Sequence, residues 1–205
     1  MSQPFDRLAI CPAPKQPDER LKDWWVENPW LIVAKGRSLS GYERNRAYLN
    51  VRGNEFFEIS GLTGADSEGD ARAVVALDVN NDGMEDLLVR QAGGGSFLLF
   101  DNRFPKTHWL EVSLQGEKSN RLGIGARLVA EVGSQKIVRE LYPSTSFKSQ
   151  GPAHVHFGLG TATKMDRLTV TWPSGLVQEF SDPPTDRRIR IREGIAQVAA
   201  LEAAR

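Results

Sequence analysis

The sequence predicts an all-β protein: a calcium-loop unit between two strands, then an antiparallel β-sandwich or barrel, with a short N-terminal helix ahead of both. Three observations carry this. Asp78-Val79-Asn80-Asn81-Asp82-Gly83-Met84-Glu85-Asp86 spaces oxygen side chains as a cation-wrapping loop does. Between residues 109 and 192, short apolar-polar alternations recur between turn signals. Near the N-terminus, acidic residues precede a Leu-Trp-Trp stripe that Asn28-Pro29 stops. The 205 residues, 40% hydrophobic and 25% charged, suit one domain or two small ones. Lys and Arg number 26 against 26 for Asp and Glu, so no overall field recommends nucleic acid as a partner.

Pro4, Pro12, Pro14 and Pro17 make residues 1–17 an extended arm, and the stretch has no apolar run of signal-peptide length. No segment is long enough to span a membrane. A single cysteine, Cys11, excludes an internal disulfide and leaves the redox compartment unreadable. The helix begins near Pro17, with Asp18 and Glu19 at the positive end of its dipole and Leu21, Trp24 and Trp25 along one face. It is too short to stand alone, so Trp24, Trp25 and Trp30 need a surface to cover. That surface is either the β core of the same chain or a protein partner.

In the loop, Asp78, Asn80, Asp82 and Asp86 occupy positions 1, 3, 5 and 9. Gly83 takes the sharp bend at 6, and Met84 offers its carbonyl at 7. Three carboxylates in nine residues repel one another, and a bound Ca²⁺ would relieve that repulsion. The alternative is a polar turn around Asp82-Gly83, which requires only two of these residues. Position 12 is Val89 rather than a bidentate Glu, so the loop is not an EF-hand. Ala71–Leu77 upstream and Leu87–Arg90 downstream are short, apolar and β-branched, the signature of strands.

Asp70 to Asp78, followed by Asn80-Asn81-Asp82-Gly83 and Asp86-Leu87, resembles the FG-GAP (VCBS) repeat of calcium-binding propeller blades. Tyr48-Leu49-Asn50 with Phe56-Phe57 leads in, and Leu99-Phe100-Asp101-Asn102 leads out. The resemblance implies one propeller-blade-like unit over residues 45–103, following an arm and helix over 1–44. A propeller needs at least four blades of ~40–50 residues, so this stretch cannot close a ring. A lone blade leaves sheet edges that something else must cover.

Gly93-Gly94-Gly95 reads as a hairpin loop, and Gly123-Ile124-Gly125 also leads into a strand; neither opens the helix that phosphate cradling requires. Strands follow over Trp109–Leu114, Leu128–Val132, Lys136–Leu141, His154–Phe157, Leu168–Trp172 and Val177–Phe180. In Arg187–Arg192 the alternation puts Ile189 and Ile191 inward and Arg188, Arg190 and Arg192 outward, as if to blunt an exposed sheet edge. Residues 104–194 resemble the ASPIC/UnbV domain, which follows FG-GAP repeats in many exported bacterial proteins. The likeness rests on Ser119-Asn120-Arg121, Gly123-Ile124-Gly125-Ala126, Ser146-Phe147, Ser149-Gln150, His156-Phe157-Gly158-Leu159-Gly160 and Trp172-Pro173-Ser174-Gly175. Residues 195–205 read as a C-terminal tail.

No catalytic constellation stands out: no G-x-S-x-G elbow surrounds a serine, and His154 and His156 share a strand face without an evident third ligand. The expectation is a noncatalytic, calcium-stabilised β module in protein–protein interaction, an accessory subunit of a larger assembly. Trp24, Trp25, Trp30, Arg188, Arg190 and Arg192 are its candidate contacts. The alternative is a small-molecule or glycan-binding protein, or an auxiliary enzyme of UnbV type, which a pocket lined by His154, His156 or Trp172 would favour.

Overall fold

The structure, a computed structural model, describes residues 44–51, 53–67, 69, 71–91, 96–144 and 149–201. Trp24, Trp25 and Trp30 with their helix, the arm with Cys11, the Gly93-Gly94-Gly95 turn and Ser146-Phe147 lie outside the described residues. The protein is nearly all β, and its chain falls into two compact units. One comprises residues up to Val74 with Leu88–Phe100; the other comprises Val75–Leu87 with Asp101–Arg205. The 78–86 loop therefore groups with the C-terminal sandwich.

In the first unit, β1 (Tyr48–Val51) and β2 (Glu55–Glu58) form an antiparallel hairpin. Its turn is closed by the Gly53 N–H on the Asn50 side chain, with Gly53 at φ 77°. A single helical turn, α1 (Ser60–Thr63), follows. Fully buried Ser60 anchors it, its Oγ accepting the Ala47 N–H at 2.7 Å. Strands β3 (Ala71–Leu77), β4 (Asp86–Gln91) and β5 (Leu98–Phe100) form a three-stranded sheet in that order, of which Val75–Leu77 and Asp86–Leu87 are counted with the second unit. The described strands of the blade-like region are thus a hairpin and a separate three-stranded sheet.

The second unit is a sandwich of two four-stranded sheets. One runs β11 (Val177–Ser181), β10 (Arg167–Thr171), β7 (Arg127–Val132), β8 (Gln135–Glu140); the other runs β13 (Val198–Leu201), β12 (Arg187–Arg192), β6 (His108–Gln115), β9 (His154–Gly160). All these pairings are antiparallel except β6 with β12, which is parallel. Period-two alternation directs Leu110, Val112, Leu114, Val155, Phe157, Ile189 and Ile191 from one sheet, and Leu128, Ala130, Leu168 and Val170 from the other, into one core. Trp172, just past β10, is 2% exposed and belongs to that core.

Two expectations need correction. Val198–Leu201, expected in a tail, is strand β13, hydrogen-bonded to β12. Consequently β12 is no edge: it lies between β13 and β6, and its arginines do not blunt an open side of the sheet. The alternation itself holds, with Ile189 and Ile191 fully buried in the core.

Candidate metal loop and the sheet face beneath it

The face of the β13-β12-β6-β9 sheet turned away from the core carries the other half of each alternation. It presents Trp109, Glu111 and Ser113 from β6, His154 and His156 from β9, and Arg188, Arg190 and Arg192 from β12. Register aligns them in rows: Arg188, Glu111 and His156 form one, and Arg190, Ser113 and His154 the next.

The loop between β3 and β4 is held in a wrap by its own side chains. Asp78 accepts the N–H groups of Asp82 at 3.1 Å and Gly83 at 2.9 Å. Asn80 accepts the Asp82 N–H at 3.0 Å, and Asp82 accepts the Met84 N–H at 3.0 Å. Asp86 closes the wrap, taking the Val79 N–H at 3.0 Å and the Asn102 N–H at 2.8 Å. Asn102 also donates to the Glu85 carbonyl at 3.0 Å, and the Asn80 amide reaches Asp101 at 3.3 Å. Gly83 bends at φ 88°, and a side chain there would overlap the Trp109 indole, so both the turn and the close approach require glycine.

The first row of the sheet face grips this loop. Arg188 donates to Asp78 at 3.0 Å and to the Asn81 side chain, while its Nε lies 3.2 Å from Glu111 in an ion pair outside hydrogen-bond geometry. Glu111 is 5% exposed and Asp78 also buried, so this guanidinium neutralises two carboxylates withdrawn from water. His156 Nε2 lies 2.9 Å from the Gly83 carbonyl and therefore carries a proton to donate; its ring stacks on Trp109 at 5.9 Å and 11°.

The donor set of the loop is all oxygen, as a hard cation prefers. Asp86 is 2% exposed and has no ion pair among the described residues, leaving a buried negative charge that a divalent cation would offset. Against this, among the described residues no three His, Cys, Asp or Glu side chains gather around a common point, and Arg188 already balances Asp78. Loop spacing gave the five expected positions Asp78, Asn80, Asp82, Met84 and Asp86. Asn102, Arg188 and Glu111 lie too far along the chain for any local pattern to attach them to it.

Arg192 is engaged with Glu117 at 2.6 Å, whereas Arg190 is exposed. His154 has Nδ1 3.5 Å from Glu111 and, with His156, lines a cleft of about 210 Å³ that also includes Glu85 and Tyr142.

At the far end of the sandwich, Glu193 is a buried carboxylate that sequence reasoning missed. Its Oε2 accepts the N–H groups of Glu117, Lys118 and Ser119 at 2.7, 2.8 and 2.8 Å; Oε1 takes the Ser119 and Ser174 hydroxyls. Burial pushes the carboxyl up, but the Ser119 N–H, the Ser174 hydroxyl, the Glu117 N–H and the Ser119 hydroxyl outweigh it and hold its pKa at about 2. Glu193 thereby ties the Ser119-Asn120-Arg121 block to the Trp172-Pro173-Ser174-Gly175 turn.

Residues 116–198 match the family model described as ASPIC and UnbV, the stretch from the Glu193-bound turn to the start of β13. A comparison of the chain with curated proteins found no match.

Proposed function

We propose that this protein is a noncatalytic β module, stabilised by Ca²⁺ in the FG-GAP-like loop 78–86, that works docked on another protein as an accessory subunit. The observation that carries the calcium part is Asp86, a buried carboxylate without a cationic partner among the described residues, at the closing position of an all-oxygen loop. Asp78, Asn80 and Asp82 with the Met84 carbonyl supply the remaining donors. Binding to the folded state alone raises Tm, by an amount equivalent to about 2.7 kcal/mol at a hundredfold excess over Kd. Calorimetric melts in EDTA and in added CaCl₂ test this, and coincident curves would sink the calcium reading.

The docking part is supported by the β1-β2 hairpin. Phe56 and Phe57 are 65% and 52% exposed, and Tyr48 and Leu49 beside them are also exposed. A two-stranded hairpin is marginal alone, and aromatic residues left in water mark a contact surface. Its exposed aromatic side chains give a protein partner apolar anchors. Affinity purification of the full chain and of its Phe56→Ser, Phe57→Ser variant, read by mass spectrometry, tests it. A specific copurifying protein that the variant loses supports docking here; an identical set with both overturns it.

A further inference from the structure

The loop covers only part of the outer sheet face, and where its cover ends the charge is no longer balanced. Of the outward arginines of β12, Arg188 is consumed by Asp78 and Glu111, and Arg192 by Glu117. The side chain of Arg190, between them, makes no hydrogen bond or ion pair among the described residues. It lines a cleft of about 290 Å³ with Arg121, whose side chain likewise makes none. Among the described residues, the other polar side chains there, Ser113 and Gln115, also make no side-chain hydrogen bond, and no carboxylate lines the cleft. Ser113 stands directly beside Arg190 in the parallel β6-β12 register. The neighbouring carboxylates Glu111 and Glu117 are each committed to another arginine.

We infer that this cleft binds a small molecule through an oxyanion, a carboxylate, phosphate or sulfate group held between Arg121 and Arg190. Two guanidiniums give planar, charge-assisted donors suited to such a group, with a hydroxyl and an amide to complete its hydrogen bonds. The volume sits at the lower bound of about 300–1,000 Å³ for ligand pockets, which limits the occupant to one small ring or chain. Leu122 and Ala153, also in the lining, offer an apolar wall to its carbon portion. The site shares no residue with the 78–86 loop or the hairpin, so it stands or falls separately from the readings above.

The test is a titration of the full, ¹⁵N-labelled chain with inorganic phosphate, sodium sulfate and succinate, each at constant ionic strength, followed by amide and arginine Nε shifts. At least one anion produces saturable shifts at Ser113, Gln115 and Arg190, with Kd on the order of 1 mM. R190Q and R121Q each weaken it by about tenfold, as loss of one charge-assisted contact requires, while R190K retains part of the affinity. The variants' melting curves check folding; both arginines are exposed, so they keep the parental Tm. The anion that saturates best identifies the headgroup. Shifts that fail to saturate for all three, or a Kd unchanged in both glutamine variants, overturn the inference.

Discussion

Strands β6 and β2 both carry large side chains in a short β run, yet their fates are opposite. In β6, Leu110 and Val112 are fully buried, whereas in β2 Phe56 and Phe57 stay largely in water. The difference is a second layer. Strand β6 has the β7-β10 sheet across the core from it, while β2 belongs to a two-stranded sheet with no such layer among the described residues. Alternation creates an apolar face, but only a partner sheet makes that face a source of stability.

The sharpest way to break this contrast is Trp172→Ala, which opens a large cavity in the sandwich. It costs about 3–5 kcal/mol, read from the urea midpoint; a loss under ~1 kcal/mol would mean the core is not the stabilising element. Arg188→Met comes next. It strands Glu111 and Asp78 as buried charges at a cost of about 3 kcal/mol, and adding Glu111→Gln recovers part of that. If the double variant is no better than the single one, Arg188 acts through packing rather than charge.

Glu193 gives a pH signature instead. Its folded pKa, about 2, lies below the ordinary 4.5, so its contribution is fully present above pH 4.5 and drains away as pH falls towards 2. The Glu193→Gln variant lacks that contribution, and its stability falls less steeply across this window in denaturant titrations at stepped pH. The smallest effect belongs to the hairpin. Phe56→Ser shifts the stability of the sandwich by less than ~0.5 kcal/mol, because little burial is lost, and a larger shift would show that Phe56 is packed after all.

These contrasts explain what the sequence made legible. Arg187–Arg192 and Ala71–Leu77 could be bounded to the residue because period-two alternation and β-branching are local signals. Val198-Ala199-Ala200-Leu201 could not, since alanines carry weak strand preference and this segment is a strand by virtue of pairing with β12. The same non-local pairing misled the edge assignment: nothing in Arg187–Arg192 announces that β6 will lie parallel beside it. At the loop, spacing within nine residues named the oxygen donors. The cations and amides that meet them arrive from β12 and from residue 102, so only the folded chain assembles the site.

The parallel β6-β12 pair also bears on how the chain is made. Register joins Leu110 to Arg187 and Leu114 to Ile191, so one side of β6 has no partner until residues 187–192 have left the ribosome. At ~5–20 residues per second, that open side persists for seconds in a nascent chain. Meanwhile Arg188, the counter-ion of Glu111 and Asp78, has not been synthesised either. During translation the half-built sheet therefore offers both an unpaired strand and two acids still without their counter-ion.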